Sequence, residues 1–189
     1  NASTRLFALI GSPVGHSFSP FIHNAAFGQL ELNCRYLAFE VLPDQLAQAV
    51  NGMRALGLGG FNVTVPHKES VMAYLDEISE EALAIQSVNT VVNQNGKWVG
   101  YNTDADGFAR SWGEYGDIGN DQNILILGAG GGARAVIYAL IKYFHATRIS
   151  IANRSSDRAR SLICHFEKQL PHVHFLFISP ESSGHGFKL

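Results

Sequence analysis

Four short polar segments carry the side chains with which this sequence could do chemistry. Each one lies at or just past the end of a predicted strand, or at the start of a predicted helix. In α/β sheets, ligands bind at the carboxyl ends of the strands. Serine hydroxyls at a helix start suit a carboxylate, whereas amide, threonine, lysine and aspartate groups suit ring hydroxyls. The set favours a polyhydroxylated carboxylic acid as ligand and predicts no metal site. The segments are His16-Ser17-Phe18-Ser19-Pro20, Asn62-Val63-Thr64-Val65-Pro66-His67-Lys68, Val88-Asn89-Thr90 and Asn102-Thr103-Asp104.

A purely structural explanation exists for several of these segments. Ser19 could be only the N-cap of a helix, and Asn89 with Thr90 could be only part of a paired strand. Asn102-Thr103-Asp104 could be a helix cap and nothing more. Each explanation is adequate for its own segment, but together they leave the common character of the four segments unexplained.

A glycine-rich segment later in the chain fits the pattern G-x-G-x-x-A. Gly128 allows a tight turn, Gly130 lets the backbone approach a pyrophosphate, and the small Ala133 lets the helix pack close to the strand. A plain turn is the alternative. The aliphatic strand before the segment and the helix and second strand after it favour dinucleotide binding. The predicted cofactor residues here are Gly128, Ala129, Gly130, Gly131, Gly132 and Ala133.

The end of the next predicted strand indicates which dinucleotide binds. An NAD enzyme usually has Asp or Glu at this position, where it contacts the ribose 2′-hydroxyl. This chain has Asn153, followed by Arg154, Ser155 and Arg158. Guanidinium groups pair with phosphate oxygens, so these four residues favour the 2′-phosphate of NADP. The alternative is that both arginines are solvated surface residues.

Alternating strands and helices must position these groups. In the first half we predict mostly parallel strands with one antiparallel excursion, turning at Asn95-Gly96. Ser19 is the predicted N-cap of the first helix, and Leu46, Val50, Met53 and Leu56 form one face of the second. The strands are predicted at 5–10, 36–41, 61–65, 88–92 and 98–101. The helices are predicted at 19–32, 43–56, 67–75, 79–85 and 106–115.

The second half follows the β-α-β-α-β order of a nucleotide-binding unit, with strands at 124–127, 148–152 and 173–178. We therefore predict an α/β fold with an N-terminal, mostly parallel α/β substrate domain at 1–105. A connecting helix and linker at 106–120 follow, with the boundary at 116–123. A Rossmann-like NADP-binding domain occupies 121–189. It looks incomplete, because one such unit is half of a doubly wound sheet and 179–189 resembles neither a helix nor a linker.

Composition limits the classes of protein and partner. The 189 residues are 46% hydrophobic and 16% charged, which is typical of a globular chain. A net charge of −2 gives no general attraction to nucleic acid or membrane surfaces. Cys34 and Cys164 are expected to be reduced thiols, and no apolar run reaches the roughly 20 residues needed to span a bilayer. We expect a cytoplasmic protein with a small-molecule substrate. The sequence leaves monomer and homodimer open.

The chain resembles the shikimate dehydrogenase family in six ordered motifs across residues 5–160. The family's S-x-S-P, N-V-T-x-P-x-K, V-N-T and N-T-D motifs match 17–20, 62–68, 88–90 and 102–104. Its glycine loop matches 128–133, and its N-R-[ST] motif matches 153–155. This resemblance implies reversible, NADP-dependent reduction of 3-dehydroshikimate to shikimate, a step of aromatic amino-acid and chorismate biosynthesis.

The resemblance also assigns roles to residues. It implies that Ser17 and Ser19 hold the substrate carboxylate and that Thr64, Asn89 and Asp104 hold ring hydroxyls. Lys68 is then the catalytic residue, beside Asp104. The chain departs from the family at Ala105, where glycine commonly stands, and we find neither the later substrate-binding glutamine nor the C-terminal helices that pack on the first domain. A quinate/shikimate dehydrogenase and a non-catalytic NADP- or shikimate-binding relative remain as alternatives.

Overall fold

The computed structural model describes residues 1–113 and 122–179 and divides the chain into two compact units, Asn1–Asn102 and Thr103–Leu189. Each unit contains its own sheet. The predicted boundary at 116–123 lies mostly outside the described residues, as do the predicted helix end at Tyr115 and nearly all of 179–189. The functional division at 105 and 120 therefore stays a prediction.

Six strands form the sheet of the first unit: β1 Arg5–Gly11, β2 Cys34–Glu40, β3 Gly60–Val63, β4 Glu77–Ile78, β5 Thr90–Gln94 and β6 Lys97–Tyr101. Their order across the sheet is β2-β1-β3-β5-β6-β4. β1 is parallel to β2 and β3, and β4 is parallel to β6, whereas β5 runs antiparallel to both of its neighbours. The predicted hairpin is confirmed, with φ of 54° at Asn95 and 88° at Gly96. The mostly parallel sheet with one antiparallel excursion is therefore confirmed.

The helices of the first unit differ from the prediction at their ends. α1 spans Ser19–Gln29, α2 Leu46–Ala55 and α3 Glu80–Ile85, with 3-10 turns at Pro43–Gln45 and Ser70–Tyr74. Leu56 was wrongly placed on the buried face: it is 75% exposed, because α2 ends one residue earlier and the chain turns at Gly57 (φ 66°). The helix predicted at 67–75 is only the second 3-10 turn, and the short β4 was not predicted.

The helices cover the two faces of this sheet with separate hydrophobic clusters. Leu46, Val50 and Met53 of α2 join a cluster that includes Trp98 and Phe61, whose rings meet edge to face with centroids 5.2 Å apart. On the α1 side, a smaller cluster is formed by Leu9, Val14 and Tyr36, with Phe7, Phe27 and Ala38 packed against it. Burial of these side chains fixes the register of β1 against its neighbours.

The second unit has the predicted order of a nucleotide-binding half. β7 (Ile124–Leu127), β8 (Arg148–Ala152) and β9 (His174–Ile178) pair in parallel in that order. α5 (Gly131–Phe144) and α6 (Ser156–Gln169) connect them, and α4 (Asp104–Gly113) precedes them. α4 begins at Asp104, two residues before the predicted start.

The three-stranded sheet is covered on one face only among the described residues. Ile149 and Ile151 point into the cluster formed with α5 and α6 and are fully buried. On the other face Leu125, Leu127 and Leu176 are 47%, 54% and 59% exposed. Among residues 1–113 and 122–179, every helix is too short or too polar to span a bilayer.

Candidate active site

The loop after β1 is held against the segment that follows β3. Ser12 N–H donates to the Val65 carbonyl, and Thr64 N–H donates to the Ile10 carbonyl, both at 2.9 Å. A side chain at Gly11 would collide with the Thr64 methyl group. Glycine therefore allows the two segments to approach closely enough to share a pocket.

Ser17 and Ser19 lie together at the start of α1. The Ser17 hydroxyl oxygen accepts from Ser19 N–H at 3.2 Å, and the two hydroxyl oxygens are also 3.2 Å apart. The predicted N-cap role of Ser19 is wrong: Ser19 is the first helical residue, and Phe18 takes the cap position. Pro20 is then the second helical residue, where its missing N–H costs no intrahelical hydrogen bond. Both hydroxyls therefore stand at the positive end of the helix.

A cavity of about 310 Å³ brings three of the predicted substrate residues together. Ser17, Ser19 and Thr64 supply its hydroxyl groups, and His16 lies beside them. Leu9, Pro13, Val14 and Phe18 supply apolar walls. The pocket combines hydroxyls at a helix start with an apolar floor, which suits a small ring that carries an anionic group.

Lys68 and Asn89 lie on neighbouring segments of the same unit. The Lys68 carbonyl accepts from Val88 N–H at 2.8 Å, and the Asn89 carbonyl accepts from Val63 N–H at 2.9 Å. His67, fully buried, has its Nε2 2.7 Å from the Val41 carbonyl; because a carbonyl only accepts, Nε2 carries the proton. This bond anchors the residue before Lys68 to the end of β2.

The Asn102-Thr103-Asp104 segment connects β6 to α4. The Asn102 side chain is buried and donates to the Ser87 carbonyl at 2.8 Å, which ties this segment to the one that carries Asn89. Asp104 is the first residue of α4, where the helix dipole favours a carboxylate. Because Asp104 belongs to the second unit, its pairing with Lys68 stays a prediction.

Asn62 and Thr90 stand in the predicted motifs but had no predicted role. Asn62 Oδ1 accepts from the Tyr36 hydroxyl at 2.7 Å, and Thr90 donates to Asn89 Oδ1 at 2.9 Å. Burial raises the pKa of the Tyr36 phenol well above its usual range. A buried tyrosine needs a hydrogen-bond partner, but the sequence does not indicate which residue supplies it.

The glycine loop has the predicted strand–loop–helix geometry. Gly128 has φ of 111°, a conformation that favours glycine, and its N–H donates to the Ala152 carbonyl at 2.8 Å. Gly130 is the N-cap of α5, so Gly131, Gly132 and Ala133 form its first turn. A Cβ built on Gly130 would meet no atom within 4 Å. Packing therefore does not require this glycine, and its backbone is open to a phosphate group.

The segment after β8 lies beside this loop, because Leu127 and Ala152 are paired at the same end of the sheet. Asn153 Nδ2 donates to the Ser155 carbonyl at 2.8 Å, and the Ser155 hydroxyl caps α6 by accepting from Arg158 N–H at 3.4 Å. Arg154, Ser155 and Arg158 are exposed. These residues fit an NADP phosphate. Among the described residues, no cluster of three or more His, Cys, Asp or Glu could hold a metal ion.

Fold and site together define an α/β protein with a hydroxyl-lined pocket in one unit and a dinucleotide-type loop in the other. A model of the shikimate dehydrogenase substrate binding domain matches residues 9–91, and a shikimate/quinate 5-dehydrogenase model matches 115–176. The chain belongs to the shikimate dehydrogenase family.

Individual relatives agree with this assignment. A shikimate dehydrogenase (NADP(+)) of Caldanaerobacter subterraneus subsp. tengcongensis is 49% identical over 162 residues, which are 86% of this chain and 58% of that enzyme. A crystal structure of a shikimate dehydrogenase in complex with NADP+ superposes with a TM-score of 0.83 at 46% identity, covering 94% of this chain and 62% of that one. The structure of a quinate dehydrogenase of Corynebacterium glutamicum in complex with NAD superposes with a TM-score of 0.82 at 28% identity. The match covers 95% of this chain and 65% of that one. The chain spans about three fifths of the length of such relatives.

Proposed function

We propose that the protein interconverts 3-dehydroshikimate and shikimate with NADP as cofactor. The observation that carries the proposal is the pocket that joins Ser17, Ser19 and Thr64 at the start of α1. Its hydroxyls and helix dipole suit the carboxylate of shikimate. The relatives named shikimate dehydrogenase (NADP(+)) support the same assignment.

The proposed roles follow from the chemistry of each side chain. Bound NADPH supplies hydride to the ring ketone carbon. Lys68 stabilises the negative charge that develops on the ketone oxygen and donates the proton to it. Asp104 orients Lys68 and accepts from the neighbouring ring hydroxyl, while Thr64 and Asn89 hold ring hydroxyls. Ser17 and Ser19 hold the carboxylate.

The proposed cofactor site comprises the loop Gly128–Ala133 and the segment Asn153–Arg158. Backbone N–H groups at the start of α5 hold the pyrophosphate, and Arg154 with Arg158 holds the 2′-phosphate. We further propose the domain division at 1–105, 106–120 and 121–189, a cytoplasmic location, and a monomer or homodimer without nucleic-acid or membrane partners.

A steady-state assay of the purified protein tests the proposal. Shikimate and quinate are each offered with NADP and with NAD, and reduced cofactor is followed by absorbance. We expect the highest kcat/KM for shikimate with NADP. A preference for quinate with NAD would favour the alternative that the protein is a quinate dehydrogenase. The structural similarity to the C. glutamicum quinate dehydrogenase supports this alternative. Binding of shikimate without turnover would favour a non-catalytic relative.

A further inference from the structure

A chain of side-chain hydrogen bonds runs from Tyr36 in β2 to Asn89 before β5. The Tyr36 hydroxyl contacts Asn62 Oδ1 at 2.7 Å. Asn62 Nδ2 contacts the Asn89 carbonyl at 3.2 Å and Thr90 Oγ1 at 3.1 Å. Thr90 Oγ1 in turn contacts Asn89 Oδ1 at 2.9 Å. Three strands of the sheet thus contribute to one connected network.

The direction of each bond in this chain follows from one fixed acceptor. The Asn89 carbonyl can only accept, so the Asn62 NH2 group must face it, and Asn62 Oδ1 must face Tyr36. Asn62 then has no hydrogen to give Tyr36, and the phenol must donate. The second Asn62 hydrogen goes to Thr90 Oγ1, so the Thr90 hydroxyl hydrogen goes to Asn89 Oδ1. The Asn89 amide is held through its oxygen.

Several contacts hold the Tyr36 end of this hydrogen-bond network in place. Tyr36 is 2% exposed, and the His23 ring stacks on it at 4.2 Å between centroids with planes 9° apart. His23 Nδ1 lies 2.8 Å from the Ser19 carbonyl, so the same contact reaches the start of α1. Asn24 also bonds both backbone groups of Tyr36 at 2.9 Å. Because the Tyr36 hydroxyl is held in this way, it fixes the orientation of the Asn62 amide, and through Thr90 that of the Asn89 amide.

We propose that Tyr36, Asn62 and Thr90 are positioning residues that turn the Asn89 amide so that its NH2 group donates to an oxygen of the bound ring. The inference rests on the proposed function, in which Asn89 is a substrate-binding residue. It adds a chemical requirement: the ligand group at Asn89 must be an acceptor oxygen, as in a hydroxyl or ketone, and a bare donor such as an ammonium group is disfavoured there.

The test measures shikimate binding to the 189-residue chain by titration calorimetry. Thr90→Val removes the hydroxyl but keeps the shape, and we expect shikimate affinity to fall about 5- to 20-fold. Thr90→Ser keeps the hydroxyl and should restore affinity to within about 3-fold of wild type. In an Asn89→Ala background, Thr90→Val should cost less than about 2-fold, because the group it positions is gone.

Tyr36→Phe provides a second variant, and Tyr101→Phe a matched control, since the Tyr101 hydroxyl pairs only with Gln94 in the hydrogen bonds described for it. Tyr36→Phe should weaken shikimate binding, and the loss should be smaller in the Asn89→Ala background. Tyr101→Phe should leave shikimate binding unchanged. In the 15N-labelled chain without ligand, Thr90→Val should shift the side-chain amide signals of Asn62 and Asn89. Unshifted signals, or equal losses in both backgrounds, would overturn the positioning role. A wild-type chain that binds no shikimate would instead overturn the proposed function.

Discussion

Lys68 is the residue on which the proposed chemistry depends most directly. Lys68→Ala should lower kcat for shikimate oxidation by roughly 10²- to 10⁴-fold, the usual effect of losing a positioned acid or base group. Substrate affinity should change little, because hydroxyl and amide groups supply most of the proposed contacts. Steady-state kinetics measure both quantities. A variant that retains more than half of wild-type turnover would exclude Lys68 from the catalytic step.

Arg154 is the residue that should set the preference for NADP. Only the 2′-phosphate distinguishes NADP from NAD, so Arg154→Ala should weaken NADP by roughly 10-fold or more and leave NAD almost unchanged. Dissociation constants from fluorescence titration measure the two effects. Arg148→Ala is the matched control: this exposed arginine starts β8, at the opposite end of the strand. Equal losses for both cofactors would assign Arg154 a structural role or a pyrophosphate contact.

Sequence could identify single residues wherever type and local position together carry the signal. Ser17, Ser19 and Thr64 follow strand ends or start a helix, and the structure brings them to one pocket. The Tyr36–Asn62–Thr90 chain could not be found this way. Its bonds join positions 26 and 28 residues apart, and they exist only because the register of β1, β2, β3 and β5 brings those side chains into line.

Among the elements, β2 shows how an exposed sheet edge is managed. An edge strand presents unpaired backbone groups, which invite pairing with another chain. The Asn24 side chain from α1 pairs with both the N–H and the carbonyl of Tyr36, and so imitates a neighbouring strand at that residue. The helix thereby fixes the strand that carries the Tyr36 hydroxyl.

Removing this pairing should destabilise the first unit. Asn24→Leu loses two hydrogen bonds and leaves two part-buried backbone groups without their partner, so we expect the free energy of unfolding to fall by about 1–3 kcal/mol. Urea unfolding followed by circular dichroism measures the change. Asn51→Leu, at an exposed position on α2, is the control and should change stability by less than about 0.5 kcal/mol. Similar effects of the two substitutions would show that Asn24 pairing adds no stability.

The elements of the second unit were predicted best, because aliphatic strands, a glycine loop and an amphipathic helix follow one another without interruption. β7 and β8 have the predicted bounds, and α5 ends at Phe144 as expected. The misses are short or terminal features. β4 has two residues, too few for any periodicity, and Leu56 continues the helical spacing of α2 even though the helix has already ended.

At the scale of the whole molecule, the second sheet leaves an apolar face exposed among the described residues. Leu125 and Leu176 flank Ser150 in one row across the three strands, at 47% and 59% exposure. Exposed leucines on one face of a sheet favour self-association, since each square ångström of apolar surface buried contributes about 25 cal/mol. The 189-residue chain should therefore form concentration-dependent oligomers.

Replacing both leucines tests this expectation. Leu125→Thr combined with Leu176→Thr keeps residues that favour strands while removing apolar surface, so the monomer fraction should rise at a given concentration. Light scattering after size-exclusion chromatography measures that fraction. Leu83→Thr is the control, because Leu83 lies on α3 in the first unit and is 50% exposed. If the control raises the monomer fraction as much as the double substitution does, association follows general surface hydrophobicity and not this face; a chain that stays monomeric without any substitution contradicts the prediction outright.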